Sequence, residues 1–229
     1  TPLAKVQFAQ CGGEDAEVCL PSIEIYDPAT DTWTAAGTLA NSRTQAAVTL
    51  DPTTGAVWFM GGRDGDRATG DLLASVEAFT PPVAPETVGV VVPITHYALS
   101  EARWGAKAVT LADGRILVIA GETGTSTVSA TVDIYDPNTG LGSVETLATG
   151  RSQFAVCAVP GGNQVIVLGG RAGSALLNSV ELFDGMGWSS LAPMGSARYA
   201  FGAAWIDGAS QVLVTGGYGT TGNLASCEA

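Results

Sequence analysis

Short apolar runs that end in glycine recur along the chain. The run "VIVLGG" ends at Gly170, and the related runs "VWFMGG", "ILVIAG" and "VLVTGG" end at Gly62, Gly121 and Gly217. A more polar version, "VQFAQCGG", ends at Gly13, so successive copies lie 49, 59, 49 and 47 residues apart. Each run is too short for a helix and is bounded by turn-forming residues, which predicts a strand buried on both faces.

Two other features accompany these runs. Before each of the runs that end at Gly62, Gly121, Gly170 and Gly217, a large apolar residue stands four positions ahead of an arginine. The pairs are Leu39 and Arg43, Leu99 and Arg103, Leu147 and Arg151, and Met194 and Arg198. Turn sequences such as "DPTTG" and "VPGGN" follow the arginine segment, which predicts a hairpin with the apolar run. After the run comes a segment of alternating polarity that ends in an aromatic residue: Tyr26, Phe79, Tyr135 or Phe183. Trp33 and Trp188 then open a fourth strand.

Four antiparallel strands every 47 to 59 residues is the pattern of a β-propeller blade. The glycine pair, the later aromatic residue and tryptophan, and the lead-in with its arginine resemble the motifs of kelch repeats. The resemblance implies an all-β, kelch-type β-propeller of four-stranded antiparallel blades. The propeller is predicted to form a single domain over residues 1–229, with blade segments at about 1–38, 39–98, 99–146, 147–193 and 194–229. Four arginine lead-ins against five glycine motifs predict that the two terminal blades are incomplete and that the propeller is partial.

The repetition of the glycines and arginines favours a structural role for both. The glycines are Gly61, Gly62, Gly121, Gly169, Gly170, Gly216 and Gly217, and neither a lysine nor a helix pattern follows them, which argues against a phosphate-binding loop. The arginines Arg43, Arg103, Arg151 and Arg198 could form an anion-binding ring, or each could satisfy backbone carbonyls and a carboxylate within its own blade junction. The recurrent acidic residues Glu24, Glu77, Asp133 and Glu181 are candidate partners.

Composition and charge restrict the range of partners. The chain is 46% hydrophobic and 14% charged, as expected of a folded globular protein. Its net charge of −12 opposes binding to nucleic acid and favours a basic protein partner. No apolar run approaches the roughly 18 residues of a membrane-spanning helix.

The cysteines raise the question of compartment. Cys11 and Cys19 flank the short turn "CGGEDAEVC", which predicts a disulfide and with it the secretory pathway, an organelle lumen or the extracellular space. The alternative is a pair of reduced thiols in a reducing compartment such as the cytoplasm. A zinc site is disfavoured because the spacing is wide and His96 is the single histidine. Cys157 is predicted to be a buried thiol, and Cys227 to pack or to pair with a cysteine elsewhere.

Candidate contact residues lie in the connections between the second and third strands, at residues 63–74, 122–130, 171–178 and 218–224, and in the long segment 81–99. Loops of this kind carry specificity while strands carry the scaffold. The candidate partner-binding residues are Arg63, Asp64, Asp66, Arg67, Asp71, Glu122, Arg171 and Tyr218. The aspartates of the first loop could bind calcium, but a solvated acidic loop fits their spacing better. Trp104, Phe154 and Tyr199 could line a channel mouth, although packing is the favoured role.

No catalytic constellation is visible in the sequence, and no cofactor is predicted. The preferred interpretation is a non-enzymatic protein-interaction or scaffold module, as a subunit of a larger assembly. One alternative is a kelch-type enzyme, an oxidase or a carbohydrate-active lyase or epimerase, with catalytic residues outside this sequence. A second alternative is an extracellular glycan-binding module.

Overall fold

A computed structural model describes residues 8–11, 14–15, 18–65, 70–83, 86 and 88–229. None of these residues is helical, and the strands among them confirm the all-β prediction. No helix long and apolar enough to cross a membrane occurs in this part of the chain. The chain divides into two compact units, Thr1–Trp104 and Gly105–Ala229.

The first unit contains two main sheets, both antiparallel. Its strands are β1 (Phe8–Cys11), β2 (Glu14–Asp15), β3 (Val18–Cys19), β4 (Ser22–Asp27), β5 (Thr32–Thr38), β6 (Ala47–Leu50), β7 (Val57–Met60), β8 (Val76–Thr80) and β9 (Val90–Pro93). Sheet 1 has the order β1-β4-β5 and sheet 2 the order β6-β7-β8-β9, while β2 and β3 form a separate short hairpin. The segment Pro81–Leu99 thus supplies the edge strand β9.

The second unit contains three main sheets. Its strands are β10 (Lys107–Thr110), β11 (Ile116–Glu122), β12 (Val128–Asp136), β13 (Leu141–Thr146), β14 (Ala155–Ala158), β15 (Val165–Leu168), β16 (Arg171–Ala172), β17 (Ala175–Leu176), β18 (Val180–Phe183), β19 (Trp188–Leu191), β20 (Gly202–Ile206), β21 (Gln211–Thr215), β22 (Tyr218–Gly219), β23 (Gly222–Asn223) and β24 (Cys227–Glu228). Sheet 3 has the order β10-β11-β12-β13, sheet 4 the order β14-β15-β18-β19, and sheet 5 the order β20-β21-β24.

Sheets 2, 3 and 4 have the predicted four-stranded blade pattern, and the apolar runs before the glycines are inner strands. In β11 every residue is buried, and in β15 Val165, Val167 and Leu168 are buried. In sheets 1 and 4 the aromatic residue at the end of the third strand faces the tryptophan of the fourth strand, with ring centroids 5.2 Å apart for Tyr26 and Trp33 and 5.3 Å apart for Phe183 and Trp188. Among the described residues, sheets 1 and 5 have three strands each.

The cores lie between consecutive sheets within each unit. In the first unit, Ile23 and Ile25 of sheet 1 pack with Phe59 and Phe79 of sheet 2. In the second unit, one core joins sheets 3 and 4, and another joins sheets 4 and 5. A sheet of this kind buries its faces only against its neighbours, which is the physical basis of a repeat architecture.

Three of the predicted contact loops contain strands of their own. Strands β11 and β12 continue the sheet 3 hairpin through residues 122–130, and the hairpins β16–β17 and β22–β23 occupy the other two loops. In β16–β17 the turn is Gly173–Ser174, and Gly173 has a φ of 60°. The extension of β11 and β12 belongs to sheet 3, whereas the two short hairpins lie outside the main sheets, and this pairing gives the three loops a defined shape.

Candidate functional site

The four repeated arginines are buried, and Arg43, Arg151 and Arg198 bind the backbone of their own sheet. Arg151 donates from Nη1 to the carbonyls of Gly169 and Ser179 at 3.1 and 3.3 Å, and from Nη2 to the Ser179 hydroxyl at 3.2 Å. The same Nη2 pairs with the Glu181 carboxylate. Arg43 and Arg198 make the corresponding contacts, in which Glu77 and Glu228 are the acids.

The acid of each pair also holds the lead-in segment. Glu181 accepts a hydrogen bond from the Ala148 N–H at 2.7 Å, and Glu228 accepts one from the Gly195 N–H at 2.6 Å. Each arginine of the repeat is at most 1% exposed. The guanidinium groups of Arg43, Arg151 and Arg198 therefore fix the ends of the inner strands, and an anion-binding ring would need the four arginines to be accessible.

The glycine pair places the residue that follows it. The N–H of Gly170 donates to the Arg198 carbonyl of the next lead-in at 2.8 Å, and Arg171 then pairs with Ser152 through two backbone hydrogen bonds. The N–H of Gly62 donates to the Arg103 carbonyl in the same way, at 2.9 Å. The residues directly after the glycines, which the sequence marks as contact candidates, are therefore held by backbone contacts.

Two adjoining cavities in the second unit share Arg171, Gly173 and Ser174, and we call them together the Arg171 groove. Their volumes are about 370 and 400 Å³. The first is also lined by Glu122, Thr125, Ser126, Val128 and Ser152, and the second by Leu176, Tyr199, Tyr218, Gly219 and Thr220. The structure thus brings three of the predicted contact residues, Glu122, Arg171 and Tyr218, to one groove.

Arg171 occupies the centre of this groove. Its side chain is 37% exposed, and its Nη2 lies 3.8 Å from a Glu122 carboxylate oxygen. Its guanidinium carbon lies 5.6 Å from the centre of the Tyr199 ring, within the range of a cation–π contact. Tyr199 in turn packs against Tyr218, with ring centroids 5.4 Å apart. The guanidinium is therefore held between an acid and an aromatic ring but remains partly open to solvent.

The groove has unused hydrogen-bonding capacity. The Glu122 side chain is 9% exposed. Among the described residues its charged partner is Arg171, and the distance of 3.8 Å between them is too long for a hydrogen bond. Ser152 is 2% exposed, and its hydroxyl has no hydrogen-bond partner in the described part of the chain. Buried polar groups normally have partners, so this wall of the groove is suited to a polar ligand.

The predicted contact loop at residues 63–74 belongs to the first unit. The guanidinium of Arg63 lies 4.8 Å from the centre of the Trp104 ring. Asp64 accepts from the Ser42 hydroxyl, and its N–H donates to the Asp71 carbonyl at 2.9 Å. The contact candidates Asp66 and Arg67 lie outside the described residues. No cluster of three or more His, Cys, Asp and Glu side chains that could hold a metal ion occurs among the residues with described positions.

Tyr199, for which the sequence favours packing, and Ser152, which the sequence does not single out, both line the Arg171 groove. One signal was available. In two copies an arginine follows the glycine pair, Arg63 and Arg171, and an aromatic residue, Trp104 or Tyr199, follows the buried arginine of the next lead-in. The structure stacks each of these arginines on the corresponding ring. Phe154, in contrast, is 3% exposed and belongs to the core.

A further cavity of about 480 Å³ in the second unit has a different character. It is lined mainly by apolar side chains between sheets 4 and 5, including Ile166, Leu191, Val212 and Val214. None of the predicted contact residues lines it. Its chemistry is that of a partly open core.

The cysteines of the second unit are free thiols. Cys157 is 6% exposed, and burial raises the pKa of its thiol, as expected of a cysteine that packs as a small apolar residue. Cys227 is exposed, and its sulfur lies 3.3 Å from the Thr215 hydroxyl. In the first unit the Cys19 sulfur donates to the Arg63 carbonyl at 3.4 Å. No disulfide occurs among the cysteine side chains that are described. The Cys11 side chain lies outside the described part of the chain. The Cys11–Cys19 disulfide and the oxidising compartment therefore stay predictions.

We expect the two thiols of the second unit to react at very different rates. In the native protein, iodoacetamide should modify Cys227 at least about tenfold faster than Cys157, because the thiolate is the reactive species and burial both raises the pKa of Cys157 and blocks access. Peptide mass mapping over a time course measures both rates, and a sample in urea, where the difference should disappear, is the control. Equal rates in the native protein would contradict the buried position of Cys157.

Comparisons with known proteins agree with this architecture. Residues 11–40 match the family model described as the Kelch motif. The solved structure titled "Structure of YjhT" is similar to the chain with a TM-score of 0.70 at 12% sequence identity, over 96% of this chain and 76% of that one. No protein with a curated description matches the chain in sequence. The likeness confirms the predicted fold, a kelch-type β-propeller.

Proposed function

We propose that this kelch-type chain is a non-enzymatic interaction module that holds a protein partner in the Arg171 groove. The observation that carries the proposal is the convergence of Glu122, Arg171 and Tyr218 from three separate connections onto one open, polar and aromatic surface. Arginine and tyrosine are the residue types that most often dominate the energy of protein interfaces. Kelch domains commonly bind proteins, which supports the same function.

The lining of the groove suits binding better than covalent chemistry. Among its described lining residues it has hydroxyl groups, one acid, one guanidinium and two tyrosines, and it has neither histidine nor cysteine. Ligand sites of this kind orient a partner through a few fixed polar groups. The net charge of −12 would draw a basic partner toward the surface and accelerate association, because the charge of the whole protein acts at long range.

Site-specific crosslinking tests the proposal. A photoreactive phenylalanine analogue replaces Tyr218, which is 45% exposed, and in a second protein replaces Met186, which is 90% exposed. Met186 lies in the turn between β18 and β19, and antiparallel order puts this turn at the end of sheet 4 opposite the β15–β18 connection. Irradiation in cells that produce the protein should yield a discrete protein adduct at position 218 and none at position 186.

A variant of the groove itself tests whether the adduct depends on binding there. Arg171→Ala should weaken partner binding about 5- to 30-fold, the usual cost of truncating a central interface arginine, and should reduce the adduct accordingly. Equal adducts at positions 218 and 186, or an adduct that is unaffected by Arg171→Ala, would contradict the proposed surface. A carbohydrate that prevents the adduct at position 218 would favour the glycan-binding alternative.

A further inference from the structure

We propose that the Arg171 groove recognises a primary carboxamide, the side chain of an asparagine or glutamine that the protein partner inserts beside Glu122 and Arg171. This inference rests on the proposed function and names the chemistry that the groove would select. It follows from three polar groups whose hydrogen-bonding capacity the described residues leave unused, Glu122, Arg171 and Ser152, and from the opposite charges of the first two.

Glu122 is the first of these groups. Its carboxylate is buried at the end of β11 with Arg171 3.8 Å away, and no described residue donates a hydrogen bond to it. An ionised carboxylate in such a position is costly unless a donor reaches it. A ligand in the groove therefore gains most by bringing an N–H or O–H group to Glu122.

Arg171 imposes the complementary requirement. The side chain has several N–H donors in a rigid plane, and none of them makes a hydrogen bond to a described residue. The Tyr199 ring, 5.6 Å from the guanidinium carbon, limits the movement of the guanidinium and so helps to orient its donors. A ligand that presents an acceptor next to its donor would satisfy Arg171 and Glu122 together.

The charges of the pair select against ionised ligands. A carboxylate or phosphate that approached Arg171 would lie close to the negative Glu122, and a lysine that approached Glu122 would lie close to the positive Arg171. A neutral group with a donor and an acceptor side by side avoids both penalties. The carboxamide of asparagine or glutamine is planar and carries C=O and NH₂ on one carbon. The buried Ser152 hydroxyl, which lines the same cavity without a partner, offers an additional hydrogen bond to it.

Short peptides provide the test. We titrate ¹⁵N-labelled protein with five peptides of the form acetyl-Gly-Ser-X-Ser-Gly-amide, in which X is Gln, Asn, Glu, Lys or Leu. A parallel titration with methyl glucoside tests the glycan-binding alternative. The Gln or Asn peptide should bind at least about tenfold tighter than the Glu, Lys and Leu peptides, because a site built to hydrogen-bond a group rejects analogues that lack it. The largest shifts should fall on the backbone amides of Glu122, Arg171 and Ser174.

Charge-removing variants sharpen the test. In Glu122→Gln, Arg171 loses its neighbouring negative charge, and the preference should move from the Gln peptide to the Glu peptide. In Arg171→Gln the preference should move to the Lys peptide instead. Asp113→Asn, an exposed acid in the β10–β11 turn, is the matched control and should leave the preference unchanged. The ¹⁵N spectrum of each variant reports its fold, and either variant suffices if the other fails to fold.

Equal binding of the Gln and Leu peptides, tighter binding of a charged peptide to the unmodified protein, or stronger shifts with methyl glucoside would each overturn the inference. The crosslinking experiment keeps this result separate from the proposed function. An adduct at position 218 that depends on Arg171, combined with no peptide preference, would leave the interaction module standing and remove the carboxamide alone.

Discussion

Replacement of Arg151 by methionine is expected to lower the free energy of unfolding by about 3–5 kcal/mol, the cost of leaving one partner of a buried ion pair alone. Methionine keeps most of the side-chain volume, so the loss reports on polar contacts more than on a cavity. Five polar atoms lose this donor at once, among them the Glu181 carboxylate and the Gly169 carbonyl. Burial lowers the pKa of Arg151, and the charge of Glu181 opposes this shift.

Urea unfolding, followed by circular dichroism and tryptophan fluorescence, measures the effect. Lys107→Met is the matched control, because Lys107 is an exposed cation of the same unit, and its loss should change stability by about 0.5 kcal/mol or less. The double variant Arg151→Met with Glu181→Leu should recover part of the loss, since it removes the buried charge, while the carbonyls of Thr149, Gly169 and Ser179 still lack the arginine donor. An Arg151→Met protein as stable as Lys107→Met would contradict the structural role of the repeated arginine.

Replacement of Gly170 by alanine is the second large effect that we expect. Gly170 has a φ of 93°, and a Cβ atom there would lie 2.6 Å from the Ser152 carbonyl oxygen and 2.8 Å from the Phe154 Cβ. The unfavourable backbone conformation and the overpacking should together cost about 2–5 kcal/mol. Because Gly170 precedes Arg171, a folded variant should also bind peptides more weakly in the groove.

Gly161→Ala is the control for a positive φ without overpacking. Gly161 also has a positive φ, 69°, but nothing lies within 4 Å of the added Cβ, so this variant should lose about 1 kcal/mol through the backbone alone. Both variants are measured by the same urea unfolding experiment. If Gly170→Ala lost no more than Gly161→Ala, the close approach of Ser152 and Phe154 would not constrain this position.

Backbone geometry also explains why one copy, "ILVIAG", has Ala120 in place of the first glycine of the pair. Ala120 occupies the first position with a φ of 51°, within the left-handed region that residues with a side chain sometimes adopt. The second position has a φ of 112° at Gly121 and 93° at Gly170, beyond that region. The second glycine is therefore the stricter requirement of the motif.

The sequence determined the strand order of the sheets. Inner strands, turns and edge strands have local signatures, and the fixed spacing of their copies makes each signature stronger. The same repetition predicted a structural role for Arg43, Arg151 and Arg198, because one residue in one place of every copy serves the scaffold. It did not single out Glu228 as the partner of Arg198, although Glu228 stands 30 residues after Arg198 just as Glu181 stands 30 residues after Arg151.

The composition of the Arg171 groove was decided by tertiary structure. The sequence marked Glu122, Arg171 and Tyr218 as loop residues, but it gave no reason to place them together or to add Ser152 and Tyr199. Their meeting depends on how consecutive sheets align and on the backbone contact from Gly170 to Arg198, which joins segments far apart in the chain. Local pattern specifies a strand because the information lies within a few residues, whereas a groove between sheets is specified only by their packing.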